Sequence, residues 1–192
     1  MSKSETAMRL SRARVLAERL GGRPLVLVGM MGAGKTTVGR RLASRLKRQF
    51  IDSDEEIEAA AQMSIPEIFE QRGEPEFRAG ETRVIARLLK ERDIVLATGG
   101  GAFANAETRA LIKAEALSVW LKADADVLFA RVSRRSNRPL LKTADPRATL
   151  EKLIAERYPI YAEADVTVLS RDVPQDVVAA DVVNAVHEFL KA

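Results

Sequence analysis

Gly29-Met30-Met31-Gly32-Ala33-Gly34-Lys35-Thr36 satisfies the pattern G-x-x-x-x-G-K-[ST], and it stands between the apolar run Leu25 to Val28 and a segment of helical periodicity. A strand, a glycine-rich turn and a helix start in that order form an anion cradle. Glycines let successive backbone N–H groups turn inward around phosphate oxygens, and the helix offers them the positive end of its dipole. In this reading Gly32, Ala33, Gly34, Lys35, Thr36 and Thr37 hold the phosphates of ATP, with the Lys35 ammonium reaching the β- and γ-phosphates. The Thr36 hydroxyl is the hard oxygen ligand that Mg²⁺ prefers.

Outward from this loop, four further runs rich in Val, Ile, Leu and Phe read as strands: Gln49 to Asp52, Ile94 to Ala97, Leu117 to Leu121 and Val166 to Leu169. They are nearly continuously apolar, the pattern of strands covered on both faces. Helical segments between them supply the crossovers that parallel pairing requires. These helices are expected at Lys35 to Lys47, Glu55 to Gln62, Pro66 to Arg72, Glu74 to Glu91, Ala106 to Ala114, Ala125 to Arg135, Arg147 to Ala164 and Gln175 to Leu190. The fold class is α/β, a doubly wound, three-layer P-loop NTPase. Between the sixth and seventh helices, around residues 136–147, the pattern breaks into a basic, proline-containing stretch that suits a lid.

A chain of 192 residues fits one domain, here residues 24–192, preceded by an extension at residues 1–23. The extension is expected to be helical, with Ser2 and Glu5 spaced as a capping box, an apolar stripe of Ala13, Leu16, Ala17 and Leu20, and Gly21-Gly22 as its stop. Glu5 and Glu18 argue against an organelle transit peptide. The absence of cysteine removes disulfides, thiolate metal sites and cysteine nucleophiles together. No run approaches the roughly 20 apolar residues of a membrane span, so a cytoplasmic protein without a membrane partner is expected. The formal charge of +4 suits an anionic ligand.

Other residues carry chemistry outside the loop. Asp52 and Asp54 end the second strand two positions apart, so both carboxylates face the crevice beyond the strands' carboxyl ends, where ligands of open α/β sheets bind. Spacing leaves two readings open: Asp52 beside Mg²⁺ with Asp54 accepting from a substrate hydroxyl, or one of the pair, notably Asp54, capping the next helix. Arg78 lies one helical turn before Glu81, and Arg157 one turn before Tyr161. Gly99-Gly100-Gly101 follows an apolar strand directly and lets a ligand approach the backbone. His187 and Trp120 read as packing residues.

Taken in order, Gly29 to Thr36, Phe50-Ile51-Asp52-Ser53-Asp54, Gly73-Glu74, Phe77-Arg78-Ala79-Gly80-Glu81, Thr98-Gly99-Gly100-Gly101, Arg138-Pro139-Leu140-Leu141 and Arg157 with Tyr161 resemble the shikimate kinase family over residues 24–175. The resemblance implies a nucleoside-monophosphate-kinase-like fold with strand order 2-3-1-4-5, and transfer of the ATP γ-phosphoryl group to the 3-hydroxyl of shikimate, a step toward chorismate and the aromatic amino acids. It implies that Arg78 and Arg157 grip the shikimate carboxylate and that Gly99, Gly100 and Gly101 line its pocket. Arg138 would close on the transferring phosphoryl group, and Arg131 and Pro174 would flank adenine. The family default is a monomer. Gluconate and nucleoside monophosphate kinases share the architecture, but two carboxylate-binding arginines suit an acid. A nucleic-acid module lacks the aromatics needed for base stacking, so no nucleic-acid partner is expected.

Overall fold

The computed structural model describes residues 12–133 and 143–191. Five parallel strands, β1 (Leu25–Val28), β2 (Gln49–Asp52), β3 (Ile94–Ala97), β4 (Leu117–Lys122) and β5 (Val166–Leu169), form one sheet in the order β2-β3-β1-β4-β5, as expected. Every residue of β1 and β3 is buried, so both faces of the central strands are covered. The edge strands depart from that expectation. β2 begins exposed, and β5 alternates buried Val166 and Val168 with exposed Thr167 and Leu169, because an edge strand is covered less completely than a central one.

Residues 12–19 form α1. The remaining helices are α2 (Lys35–Leu46), α3 (Ser53–Ala61), α4 (Ile65–Leu88), α5 (Ala106–Glu115), α6 (Ala125–Val132), α7 (Pro146–Tyr161) and α8 (Gln175–Phe189). The two helices expected at 66–72 and 74–91 are continuous as α4 but bend at Gly73, whose φ of 79° and ψ of 166° are open to glycine and strained for any side chain. Pro75, lacking an N–H, reinforces the bend. The Ser64 hydroxyl and the Glu67 carboxylate cap this helix reciprocally, a box that the sequence reading overlooked. The expected lid overlaps α7, since Asp145 caps that helix by accepting from Ala148 N at 2.9 Å and Pro146 begins it. Residues 134–142 and the Ser2–Glu5 capping box lie outside the described residues.

The apolar stripe of the extension reaches the core: Ala13, Leu16 and Leu20 are buried, Leu16 completely. Polar links fasten α1 at both ends, from Arg12 Nη1 to Asn184 Oδ1 at 3.0 Å and from Arg19 Nη1 to the Leu190 carbonyl at 3.4 Å on the α8 side. Beyond α1, Arg92 Nη2 reaches the Gly21 carbonyl at 2.8 Å. The part of the extension from residue 12 onward is therefore packed into the hydrophobic core. Leu16→Ala is expected to remove about 2–5 kcal/mol of stability and lower the melting temperature by about 5–15 °C in a thermal scan. A shift below about 2 °C would show that α1 contributes little.

Candidate active site

Gly34 is the N-cap of α2, and having no side chain it leaves the first N–H groups of the helix uncontested. Lys35, nearly buried, folds back over the loop, its Nζ donating to the Gly29 carbonyl at 2.8 Å and the Met30 carbonyl at 2.9 Å. On the neighbouring strand end, Asp52 Oδ2 accepts from Thr36 Oγ1 at 2.8 Å while Oδ1 accepts from Asp54 N at 3.1 Å. The cap of α3 is therefore Asp52 rather than Asp54. The strand ends at Asp52, as its apolar run indicates, so the extended chain does not continue to Asp54, which sits in the first helical turn, yet both carboxylates line one cavity.

That cavity, of about 360 Å³, is bordered by Gly32, Gly34, Lys35, Thr36 and Thr37 on one side and by Asp52, Asp54, Thr98 and Gly100 on the other. Arg131 closes a further edge, anchored by Nη1 on Ser170 Oγ at 3.0 Å and by Nη2 on the Arg171 carbonyl at 2.7 Å. Two expected phosphate-site or adenine-site residues do not border it. Ala33 is fully buried and turns its N–H to the Met30 carbonyl at 3.2 Å, and Pro174 is exposed at the N-cap of α8. In its place stands Gln175, missed from the sequence. Its Oε1 is buried without a hydrogen-bond partner among the described residues, and a Cβ on Gly34 would meet it at 2.7 Å. Apart from its place after Pro174, nothing in the sequence marks it.

A second cavity of about 100 Å³ adjoins the first through Met31, Asp54 and Gly100, which border both. Its charged wall is Arg78, Glu81 and Arg157, its apolar wall Ile65, Phe69 and Phe77, and its floor Gly99, Gly100 and Gly101. A side chain on the floor would displace the charged groups beside it. A Cβ at Gly99 would lie 2.7 Å from Glu81 Oε1 and 2.8 Å from Asp54 Oδ1, and one at Gly101 would lie 2.6 Å from the Arg78 guanidinium.

Arg78 is held in a fork. Nη1 donates to Glu81 Oε2 at 2.7 Å, and Nη2 and Nε donate to Glu74 Oε1 at 3.0 and 3.2 Å. Glu81 is 1% exposed, and burial pushes its carboxyl above the usual range, Arg78 pulling the other way without cancelling that effect and nearby Asp54 adding to it. Arg157 faces Arg78 across the floor, its Nη1 donating to the Gly100 carbonyl at 3.0 Å. Two guanidinium groups beside one small cavity are what a carboxylate requires. Of the expected residues, Lys35, Thr36, Thr37, Asp52, Asp54, Arg78, Gly99, Gly100, Gly101, Arg131 and Arg157, with Gly32 and Gly34, border one or both cavities. Arg138 lies outside the described residues.

A family model described as shikimate kinase matches residues 31–187. The chain is 61% identical over 173 residues to the shikimate kinase of Rhodopseudomonas palustris, covering 90% of this chain and 85% of that protein. It is 55% identical over 190 residues to that of Bradyrhizobium diazoefficiens, covering 99% and 92%. Among solved structures, shikimate kinase from Acinetobacter baumannii in complex with shikimate superposes with a TM-score of 0.84 at 39% identity, covering 88% of this chain and 95% of that one.

Proposed function

The chain belongs to the shikimate kinase family, and from that premise we propose how its residues divide the family reaction, transfer of the γ-phosphoryl group of ATP to the 3-hydroxyl of shikimate on the route to chorismate and the aromatic amino acids. The observation that carries the assignment is the junction of two cavities at Met31, Asp54 and Gly100, one bordered by the phosphate loop and the other by Arg78 and Arg157. A triphosphate entering the first cavity and a small hydroxy acid entering the second have Asp54 between them.

Arg78 and Arg157 hold the shikimate carboxylate, and Gly99, Gly100 and Gly101 let the ring lie against backbone. Asp54 accepts the hydrogen bond of the 3-hydroxyl and takes its proton as the oxygen attacks. Lys35 and the N–H groups of Gly32, Gly34, Lys35, Thr36 and Thr37 neutralise the β- and γ-phosphates, while Ala33 holds the loop's shape through its N–H on the Met30 carbonyl, so positioning and charge compensation supply most of the acceleration. Arg131, on the edge of the phosphate cavity, flanks adenine, with Pro174 outside the cavity rim beside the cavity-lining Gln175 on its other face, and Arg138 adds positive charge to the transferring group. The pair formed by the Thr36 hydroxyl and the Asp52 carboxylate, 2.8 Å apart, fits a small hard cation bound mainly through phosphates and water, and Thr36 and Asp52 would hold Mg²⁺. Bound there, Mg²⁺ would neutralise charge on the phosphate oxygens.

The catalytic domain is assigned to residues 24–192, with residues 1–23 as an extension. A single chain brings both cavities together, which supports a monomer as the working unit. No helix among the described residues is long and apolar enough to cross a membrane, and we assign the enzyme to the cytoplasm. The assignment is tested by measuring ADP release with shikimate, gluconate and nucleoside monophosphates in parallel. Release with shikimate alone is expected; turnover of gluconate or a nucleotide without turnover of shikimate would overturn it.

A further inference from the structure

Tyr161 has no part in the assignment above and borders neither cavity, yet it is fully buried at the end of α7 and directed at Gly100, which borders both. Its hydroxyl donates to the Gly100 carbonyl, the same oxygen that receives Arg157 Nη1 at 3.0 Å. Four residues separate Tyr161 from Arg157 on α7, so both side chains leave one helix face toward one acceptor atom. The hydroxyl oxygen also lies 3.8 Å from Met30 Sδ in the phosphate loop. On its other side Gly100 is pressed against that loop, where a Cβ would come within 3.2 Å of Met31 N.

We propose that Tyr161 is a positioning residue of the acceptor site: its hydroxyl pins the Gly100 carbonyl and thereby sets both the Arg157 guanidinium and the Gly100–Gly101 peptide that receive shikimate. The carbonyl has two lone pairs, and the two donors engage it together. With that oxygen held, the planar trans peptide directs the Gly101 N–H the opposite way, and neither group can swing without breaking a buried hydrogen bond. Arg157, fastened by one nitrogen, keeps the rest of its fork aimed across the pocket. Burial pushes the Tyr161 hydroxyl up to about 12, so it stays a proton donor throughout the neutral range.

The inference rests on shikimate being the acceptor, and the experiment separates the two. Tyr161→Phe removes only the hydroxyl and leaves the ring packed near Phe103 and Trp120, at centroid distances of 6.4 and 6.0 Å. Steady-state kinetics should show shikimate KM raised about five- to tenfold, with a smaller fall in kcat and a smaller change in ATP KM. Trp120, the only tryptophan in the chain, provides an emission signal for an equilibrium titration with shikimate, and its Kd should rise by the same factor. A parent enzyme that does not turn over shikimate overturns the functional assignment. A parent that does, beside a variant with unchanged shikimate KM and Kd, overturns the role of Tyr161, whether or not the melting temperature falls. A drop in kcat with KM unchanged also overturns it, by placing the effect in the phosphate loop.

Discussion

Replacing Lys35 with alanine or methionine is expected to lower kcat by about 10³-fold or more, because a positive charge fixed on transferring phosphate oxygens contributes on that scale in sites shielded from water. The ammonium is placed by two carbonyls of the loop itself, Gly29 and Met30, so little reorganisation is needed when phosphates arrive. Lys35→Met retains most of the aliphatic stem and removes the charge, and it distinguishes lost electrostatics from lost packing at a position only 9% exposed. Both variants should keep a shikimate affinity close to the parent's in the Trp120 titration, since Lys35 borders only the phosphate cavity. A Lys35→Met enzyme whose kcat lies within tenfold of the parent's would remove the lysine from the mechanism.

The phosphate loop was legible because its constraints are consecutive: glycines for inward N–H groups, then a lysine, then a hydroxyl, between a strand and a helix. Strand order came with the family resemblance, and the apolar runs located all five strands within a residue. Contacts decided by where a backbone turns were harder to read. Asp52 caps α3 because that helix begins at Ser53, two residues before the Glu55 start that periodicity suggests, and periodicity does not resolve a helix end to one residue. Gln175 borders the phosphate cavity only because β5 and α8 return the chain beside Gly34, a separation of over a hundred residues with no local signature. Tyr161 illustrates both sides. Its spacing from Arg157 was visible, while their shared carbonyl at Gly100 belongs to a different strand end.

Arg78→Ala is expected to weaken shikimate binding and the fold together, and the two losses can be separated. Removing a charge-assisted grip on the carboxylate should raise shikimate KM about 10- to 100-fold, with a smaller effect on kcat, because the carboxylate is remote from the reacting hydroxyl. The same substitution strips the buried Glu81 of its 2.7 Å partner, a change that costs about 3–5 kcal/mol when the remaining charge stays ionised. Burial already raises the Glu81 carboxyl, and without Arg78 it rises further. For a carboxyl raised on folding, the folded chain binds more protons than the unfolded one. Its neutral form therefore stabilises fully below the unfolded value of about 4.3, and that contribution fades as pH rises through the folded value. Denaturant midpoints should accordingly show an Arg78→Ala deficit that is smaller at acid pH and grows toward alkaline pH. Adding Glu81→Gln removes the stranded charge, so the double variant should recover much of the stability while shikimate KM stays high. Parent-like KM in the single variant would overturn the carboxylate grip, and a double variant no more stable than the single would overturn the account of the buried pair.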